Sequence, residues 1–237
     1  MHAAATTRRR PAGFTLIELL VVISIIALLI GILLPALAIA RRTAQGAQCL
    51  SRIRQINLGT QMFTVDHRDR MPWTNWDAGN PATSLDEPGW LYDARVPGGE
   101  PNFAIEDGQV HDYMKIDAPF LCPLDQDLVD ELPGVRRLSS YVMNGAVSAY
   151  AVRTPFRISD FDGSDVLFWE LDELDSSGSW NDGANRPNEA PTQRHQGAGM
   201  ITRFDGSAAP VKQDQWDEWL AQRPGPLFCN PATRNGT

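Results

Sequence analysis

The sequence predicts an α+β fold: one long N-terminal helix, with a membrane-spanning first half, packed on a C-terminal antiparallel β-sheet domain. Three observations predict it. An apolar run, Leu19–Ala40, is followed by a stretch free of Pro and Gly clusters as far as Met71-Pro72. A Pro-, Gly- and Asp-rich stretch carrying Trp73, Trp76 and Trp90 then fills residues 71–133. Runs with strand character come only after it. Helix first and strands afterwards is the order of an α+β domain.

The first element is "RRRPAGFTLIELLVVISIIALLIGILLPALAIARR", residues 8–42. As a helix the uncharged run Leu19–Ala40 spans about 33 Å at 1.5 Å per residue, which matches a hydrocarbon core of about 30 Å. Arg8, Arg9 and Arg10 before it predict a cytoplasmic N-terminus, a bias that Arg41 and Arg42 on the far side weaken. A secretory signal peptide is one reading, with Ala36–Ala38 or Ala38–Ala40 as a small-residue cleavage site. The run is well beyond the roughly 7–15 residues of an ordinary signal core, however. A plain anchor explains the length but not Glu18, which stands at the entrance of the apolar run. A charge at the centre of a membrane helix costs roughly 2.5–3.5 kcal/mol, and less towards the interface.

Beyond the apolar run, Cys49, Ile53, Ile56, Thr60 and Phe63 recur at helical spacing on one face, with Arg41, Arg42, Arg52 and Arg54 marking the other. One helix is therefore predicted from about residue 14 to about 66, its outer half laying an apolar stripe on a sheet. Pro35 has no amide hydrogen and is expected to bend or locally open the helix. Gly31, four residues earlier, relieves crowding against the proline ring.

The loop-rich stretch predicts one short helix near 110–115, with the tryptophans as packing plugs. Strand candidates are 139–150, 165–174 and 199–211, each bounded by Gly, Asp or Pro. Residues 214–222 read as a short amphipathic helix with Trp216, Trp219 and Leu220 on one side.

Composition narrows the function. The net charge is −8, and it becomes more negative by three if the arginines before Gly13 are removed. So acidic a chain is a poor nucleic-acid binder. Three cysteines, Cys49, Cys122 and Cys229, are too few for a disulfide-built fold, and none has zinc-type Cys/Cys or Cys/His spacing. In an oxidising compartment one pair can bridge. The three pairings stay open, with Cys49–Cys122 favoured.

His195 and Asp205 invite an acid–base or metal reading, but two such residues without a third convergent group do not make a site. The expectation is that His195 hydrogen-bonds a loop and Asp205 caps a turn. "SDFDGSDVLFWE" offers Asp160, Asp162, Asp165 and Glu170 in a calcium-loop-like order. It places glycine fourth instead of sixth, and Val166–Trp169 reads as a strand. No nucleophile triad, nucleotide loop or HExxH pattern is visible, which argues against an enzyme.

"GFTLIELLVVISIIALLIGILLPAL" closely resembles the N-terminus of type IV pilins and type II secretion pseudopilins. The resemblance implies a leader, residues 1–13, cut by a prepilin peptidase after Gly13, with Phe14 then N-methylated. Glu18 falls on the fifth mature residue, the family's glutamate, and Pro35 falls on its helix-kinking proline. In the family, the ammonium of one subunit's first residue meets the glutamate of its neighbour. Opposite charges in a low-dielectric bundle then set the stacking register. The implied organisation is a transmembrane and assembly segment at 14–40, an extracytoplasmic helix half at 41–68 and a head at 69–237. The implied protein is single-pass in a bacterial inner membrane, with its N-terminus cytoplasmic and its head periplasmic. Its partners would be the peptidase, other pilin or pseudopilin subunits, an inner-membrane assembly platform and the lipid bilayer, with no nucleic acid. The rival is a membrane-anchored binding protein or metal-dependent enzyme that uses the segment only for export.

Further pieces are similar to the planctomycete-type His-x9-Asp-Gly pseudopilin-like subfamily. They are the segment from Cys49 to Ile56, "FLCPLD" around Cys122, "SSYVMNG", and His195 with Asp205-Gly206, where Ser207 replaces the usual closing histidine. Some major pseudopilins bind calcium in a C-terminal loop. The resemblance therefore makes Asp172, Asp175 and Asp182 calcium candidates, although that loop does not align residue by residue. No other cofactor is expected.

Overall fold

The computed structural model describes residues 15–75, 88–93, 104–114, 120–125, 138–150, 155–171 and 183–237. The chain forms two compact units, Met1–Arg42 and Thr43–Thr237. Helix α1 runs from Leu16 to Asp66 and contains Pro35 without a break in the helix. Nothing lies within 4 Å of a side chain built at Gly31. The helix ends at a turn in which Arg68 and Asp69 both take positive φ, and the Asp69 amide donates to Thr64 O at 2.8 Å. This left-handed termination satisfies a carbonyl of the last turn.

In the first unit, the apolar side chains of α1 are exposed all round, from Leu16 at 87% and Leu28 at 67% to Ile39 at 64%. This helix is long and apolar enough to cross a membrane. From Cys49 onwards burial becomes periodic. Cys49, Ile53, Ile56, Thr60 and Phe63 are buried while Leu58, Met62 and Val65 are exposed, so one face of the helix carries the packing.

The second unit contains the short helix α2 (His111–Met114) and strands β1 (Tyr141–Asn144), β2 (Val166–Glu170), β3 (Ala184–Asn185), β4 (Ala198–Arg203) and β5 (Ala208–Lys212), followed by helix α3 (Gln213–Leu220). The sheet order is β3-β1-β2-β4-β5. Pairing is antiparallel across β1–β2, β2–β4 and β4–β5, while β3 joins the β1 edge in parallel. The α+β layout is the one expected. The edge strand β3 is too short for any sequence pattern to reveal, and it makes the sheet mixed. The candidate strand 139–150 shortens to four residues because Asn144 turns the chain into a 3-10 helix at Gly145–Ser148, its side chain accepting from the Ala146 amide at 3.0 Å.

Both faces of the sheet are covered. Tyr141, Met143, Phe168 and Met200 pack with Cys49, Ile53 and Ile56 of α1 and with Trp90 and Phe120 from the loops. Val142, Val166, Trp169, Ile201 and Val211 pack with Trp216 of α3 and with Leu227 and Phe228. All five residues of β2 are consequently buried, and a strand covered on both sides reads as a continuous apolar run. That run ends in Glu170, a carboxylate with 0% exposure.

Candidate functional site

Two places carry side chains with chemistry to explain. The first is the start of α1. Thr15 and Glu18 form a reciprocal cap: the Thr15 amide donates to Glu18 Oε2 at 2.9 Å, the Thr15 hydroxyl donates to the same oxygen at 2.8 Å, and the Glu18 amide donates to Thr15 Oγ1 at 3.2 Å. This is the Thr-x-x-Glu capping box, which satisfies amides that have no partner inside the helix. Among the described residues, every hydrogen bond of the Glu18 carboxylate falls on Oε2, which leaves Oε1 available to a second donor. Sequence reasoning read Glu18 for its charge alone, although Thr-x-x-Glu was legible as a helix start. Gly13 and Phe14 lie outside the described residues.

The second place is the interior of the head. Cys49 on α1 and Cys122 on the 120–125 segment form a disulfide, with Cα atoms 5.2 Å apart. Against it stand Glu170, at the end of β2, and His195, in the turn that leads into β4. His195 Nε2 lies 3.5 Å from Cys122 Sγ and 2.8 Å from Glu170 Oε2. Arg194 bridges two carboxylates, at 2.8 Å from Asp125 and 3.5 Å from Glu170. The Tyr141 hydroxyl donates to the Cys49 carbonyl at 3.3 Å, and burial, with the charge of Glu170 next in size, pushes that phenol well above its usual range. The Arg52 guanidinium donates to the Leu121 carbonyl and ties α1 to the segment carrying Cys122.

His195 does bond a loop, through Nε2 to Cys122 Sγ in the 120–125 segment, and at 8% exposure it also faces the buried carboxylate of Glu170. Sequence spacing missed these partners because they come from two other stretches of chain. Glu170 takes no part in a calcium loop with Asp160, Asp162 and Asp165. Those three carboxylates accept backbone amides nearby, from Arg157, Ser164 and Asp162 respectively, while β2 carries Glu170 inward.

Asp205 and Gly206 form the β4–β5 turn. Asp205 Oδ1 accepts from the Ser207 amide at 2.8 Å, and Gly206 takes φ +85, which a side chain would strain. Hydrogen bonds from Ser207 hold the Asp205 carboxyl below its usual range. His195 and Asp205 thus sit at opposite ends of β4 and do not form one site. The calcium candidates Asp172, Asp175 and Asp182 lie outside the described residues. Cys229 is the free thiol. Asn144 Nδ2 approaches it at 3.6 Å, and burial raises its pKa well above the usual range.

Comparison with known proteins bears on the first place. Residues 8–34 match the family described as the prokaryotic N-terminal methylation motif. The chain is also 30% identical over 89 residues to the competence protein ComGC of Halalkalibacterium halodurans, an alignment covering 38% of this chain and 79% of that protein. No solved structure matches. Neither match is to an enzyme. The all-round apolar helix and the methylation motif fit a membrane-anchored protein, and the chain belongs to the pilin-like family that carries this prepilin-type N-terminus.

Proposed function

We propose that the protein is a pilin-like subunit, cut after Gly13 by a prepilin peptidase and N-methylated on Phe14. Its N-terminal helix then packs with those of other subunits in a filament of the secretion-pseudopilus or type IV pilus class. Before assembly it is held in the inner membrane with the head on the outer side.

One observation carries this reading: the apolar side chains of α1 are exposed on every face from Leu16 to Ile39, and the single carboxylate of that stretch is Glu18. So much apolar surface has to be covered by lipid or by other helices. In lipid, small gains from packing and from satisfied polar groups decide which helices associate. A Glu18 carboxylate anchored on one oxygen by Thr15 presents the other to an ammonium group on a neighbouring chain. That pairing removes two charges from lipid at once and fixes the axial offset between subunits.

Intact-mass measurement of the protein from native membranes tests processing. The expected product starts at Phe14 and is heavier by one methyl group. A chain starting at Met1, or cut near Ala38 or Ala40, would reduce the segment to an anchor or an export signal. That outcome would favour a second reading, a membrane-anchored binding protein, for which the buried group Cys49, Cys122, Glu170 and His195 is the supporting observation.

A further inference from the structure

The interior of the head holds a group of side chains that filament assembly does not use. One ligand atom from each of Cys49, Cys122, Glu170 and His195 lies within 4.8 Å of the others, and all four residues are buried. They arrive from α1, the 120–125 segment, the end of β2 and the turn before β4. A disulfide alone needs no such neighbours. A buried carboxylate beside a buried imidazole carries a desolvation cost that apolar residues of similar volume would avoid. The pair is also poorly joined. Glu170 Oε2 approaches His195 Nε2 to 2.8 Å, yet it does not meet hydrogen-bond geometry and has no other hydrogen-bond partner.

We propose that these four side chains form a zinc site. With both sulfurs as thiolates, Cys49 Sγ, Cys122 Sγ, His195 Nε2 and Glu170 Oε2 bind one divalent zinc ion, and the disulfide is the metal-free, oxidised form of the same site. Two thiolates, an imidazole and a carboxylate are a tetrahedral donor set that suits zinc. Bonds of about 2.0–2.3 Å place the ligand atoms about 3.3–3.8 Å apart. Small side-chain rotations bring a group already within 4.8 Å to that spacing.

Two thiolates and Glu170 exceed the ion by one negative charge, and Arg194, 3.5 Å from Glu170 and 2.8 Å from Asp125, offsets part of the negative charge gathered there. Arg194 and Asp125 then form the outer layer that orients the carboxylate ligand.

The two forms compete for the same dithiol. In one, the two thiols lose two protons to solvent and bind zinc, with no electron transfer. In the other, the thiols lose two protons and two electrons to a protein disulfide donor, which leaves as its dithiol, and one S–S bond forms. Either form ties α1 to the 120–125 segment, so the head keeps its helix in both.

The test uses the full-length chain in detergent micelles, prepared once with a phosphine reductant and once oxidised, each with equimolar zinc. Metal per chain is read by elemental mass spectrometry, and thiols by alkylation. One zinc per reduced chain and none in the oxidised chain is expected. Cobalt(II) added to the reduced, metal-free chain should give tetrahedral visible bands and a thiolate-to-cobalt charge-transfer band, both bleached by zinc. Replacing a direct ligand, His195→Ala or Glu170→Gln, should weaken cobalt binding by more than about 100-fold. Arg194→Gln should weaken it about 10–100-fold, as expected of an outer partner. Cys229→Ser should leave the spectrum unchanged.

If Glu170→Gln does not fold, by near-ultraviolet circular dichroism, His195→Ala and the wild-type spectrum still decide. A reduced, folded chain without zinc overturns the proposal. So do cobalt bands that lack the sulfur feature or survive Cys49→Ser. None of these outcomes bears on cleavage after Gly13, so this proposal and the filament reading fail separately.

Discussion

The two stretches of helix α1 spend their apolar residues in opposite ways. Before Arg42 its aliphatic side chains are exposed on every face, while from Cys49 to Phe63 one face is buried and the other, with Leu58 and Met62, is exposed. A helix that is apolar all round is built for lipid or for a bundle, and a one-faced helix is built for a sheet. The first stretch therefore leaves its energy unspent until it meets a membrane or another subunit. The second has already spent its own on Tyr141, Met143 and Phe168. Substitutions in the two stretches should accordingly fail in different assays.

The largest expected effect is in the head. Phe168 is fully buried and stacks edge-on with Trp90 at 5.0 Å. Phe168→Ala should lower head stability by about 3–5 kcal/mol in denaturant unfolding followed by tryptophan fluorescence, with membrane retention unchanged. The reverse pattern is expected from Leu29→Asp, which places a carboxylate in the apolar stretch at roughly 2.5–3.5 kcal/mol. Membrane fractionation should show the loss, while circular dichroism of the head remains that of the wild type. If either variant fails in both assays, the two stretches are less independent than the burial pattern implies.

A smaller effect sharpens the account of the head. Asp165 is half-buried, and desolvation raises its carboxyl to about 6, against a hydrogen bond from the Asp162 amide that lowers it. Its folded pKa lies above the unfolded value near 3.8, so the folded state binds its proton more tightly. That stability is present below about pH 4 and is lost as pH rises through about 6. Solvent screening of a half-exposed group limits it to about 1 kcal/mol. Asp165→Asn keeps an acceptor for the Asp162 amide, so thermal melts of the variant should vary less with pH between 4 and 7. An unchanged pH slope would place the titration elsewhere.

Legibility followed the range of the interactions involved. The long helix, its apolar run and the buried stripe could be read because helical periodicity is local. The strands around Val166–Glu170 and Ala198–Lys212 could be read from runs bounded by Gly and Asp. The edge strand Ala184–Asn185 could not, since two residues carry no period. The covering of the second face by Trp216, Leu227 and Phe228 depends on how the chain returns, which no window of sequence contains.

The same limit applies to the head cluster. Cys49 and Cys122 are 73 residues apart, as are Cys122 and His195, so the third convergent group missing from the His195–Asp205 reading had to be supplied by the fold. Glu170 closes an apolar run, and the sequence offered for it only a calcium-loop-like order whose glycine falls at the wrong place. Glu18 was legible in position but only half in role, because the charge drew attention from the Thr15 cap.

The most direct test of the central claim is Glu18→Gln, compared with wild type and Glu18→Ala in a filament-assembly assay by subunit crosslinking. Glutamine keeps an acceptor for the Thr15 cap but removes the charge. If Glu18 acts between subunits, Glu18→Gln inserts into the membrane as wild type does, yet its assembly falls at least tenfold, to the level of Glu18→Ala. If Glu18→Gln assembles like wild type while Glu18→Ala does not, the residue is a helix cap, and the pairing between subunits is contradicted.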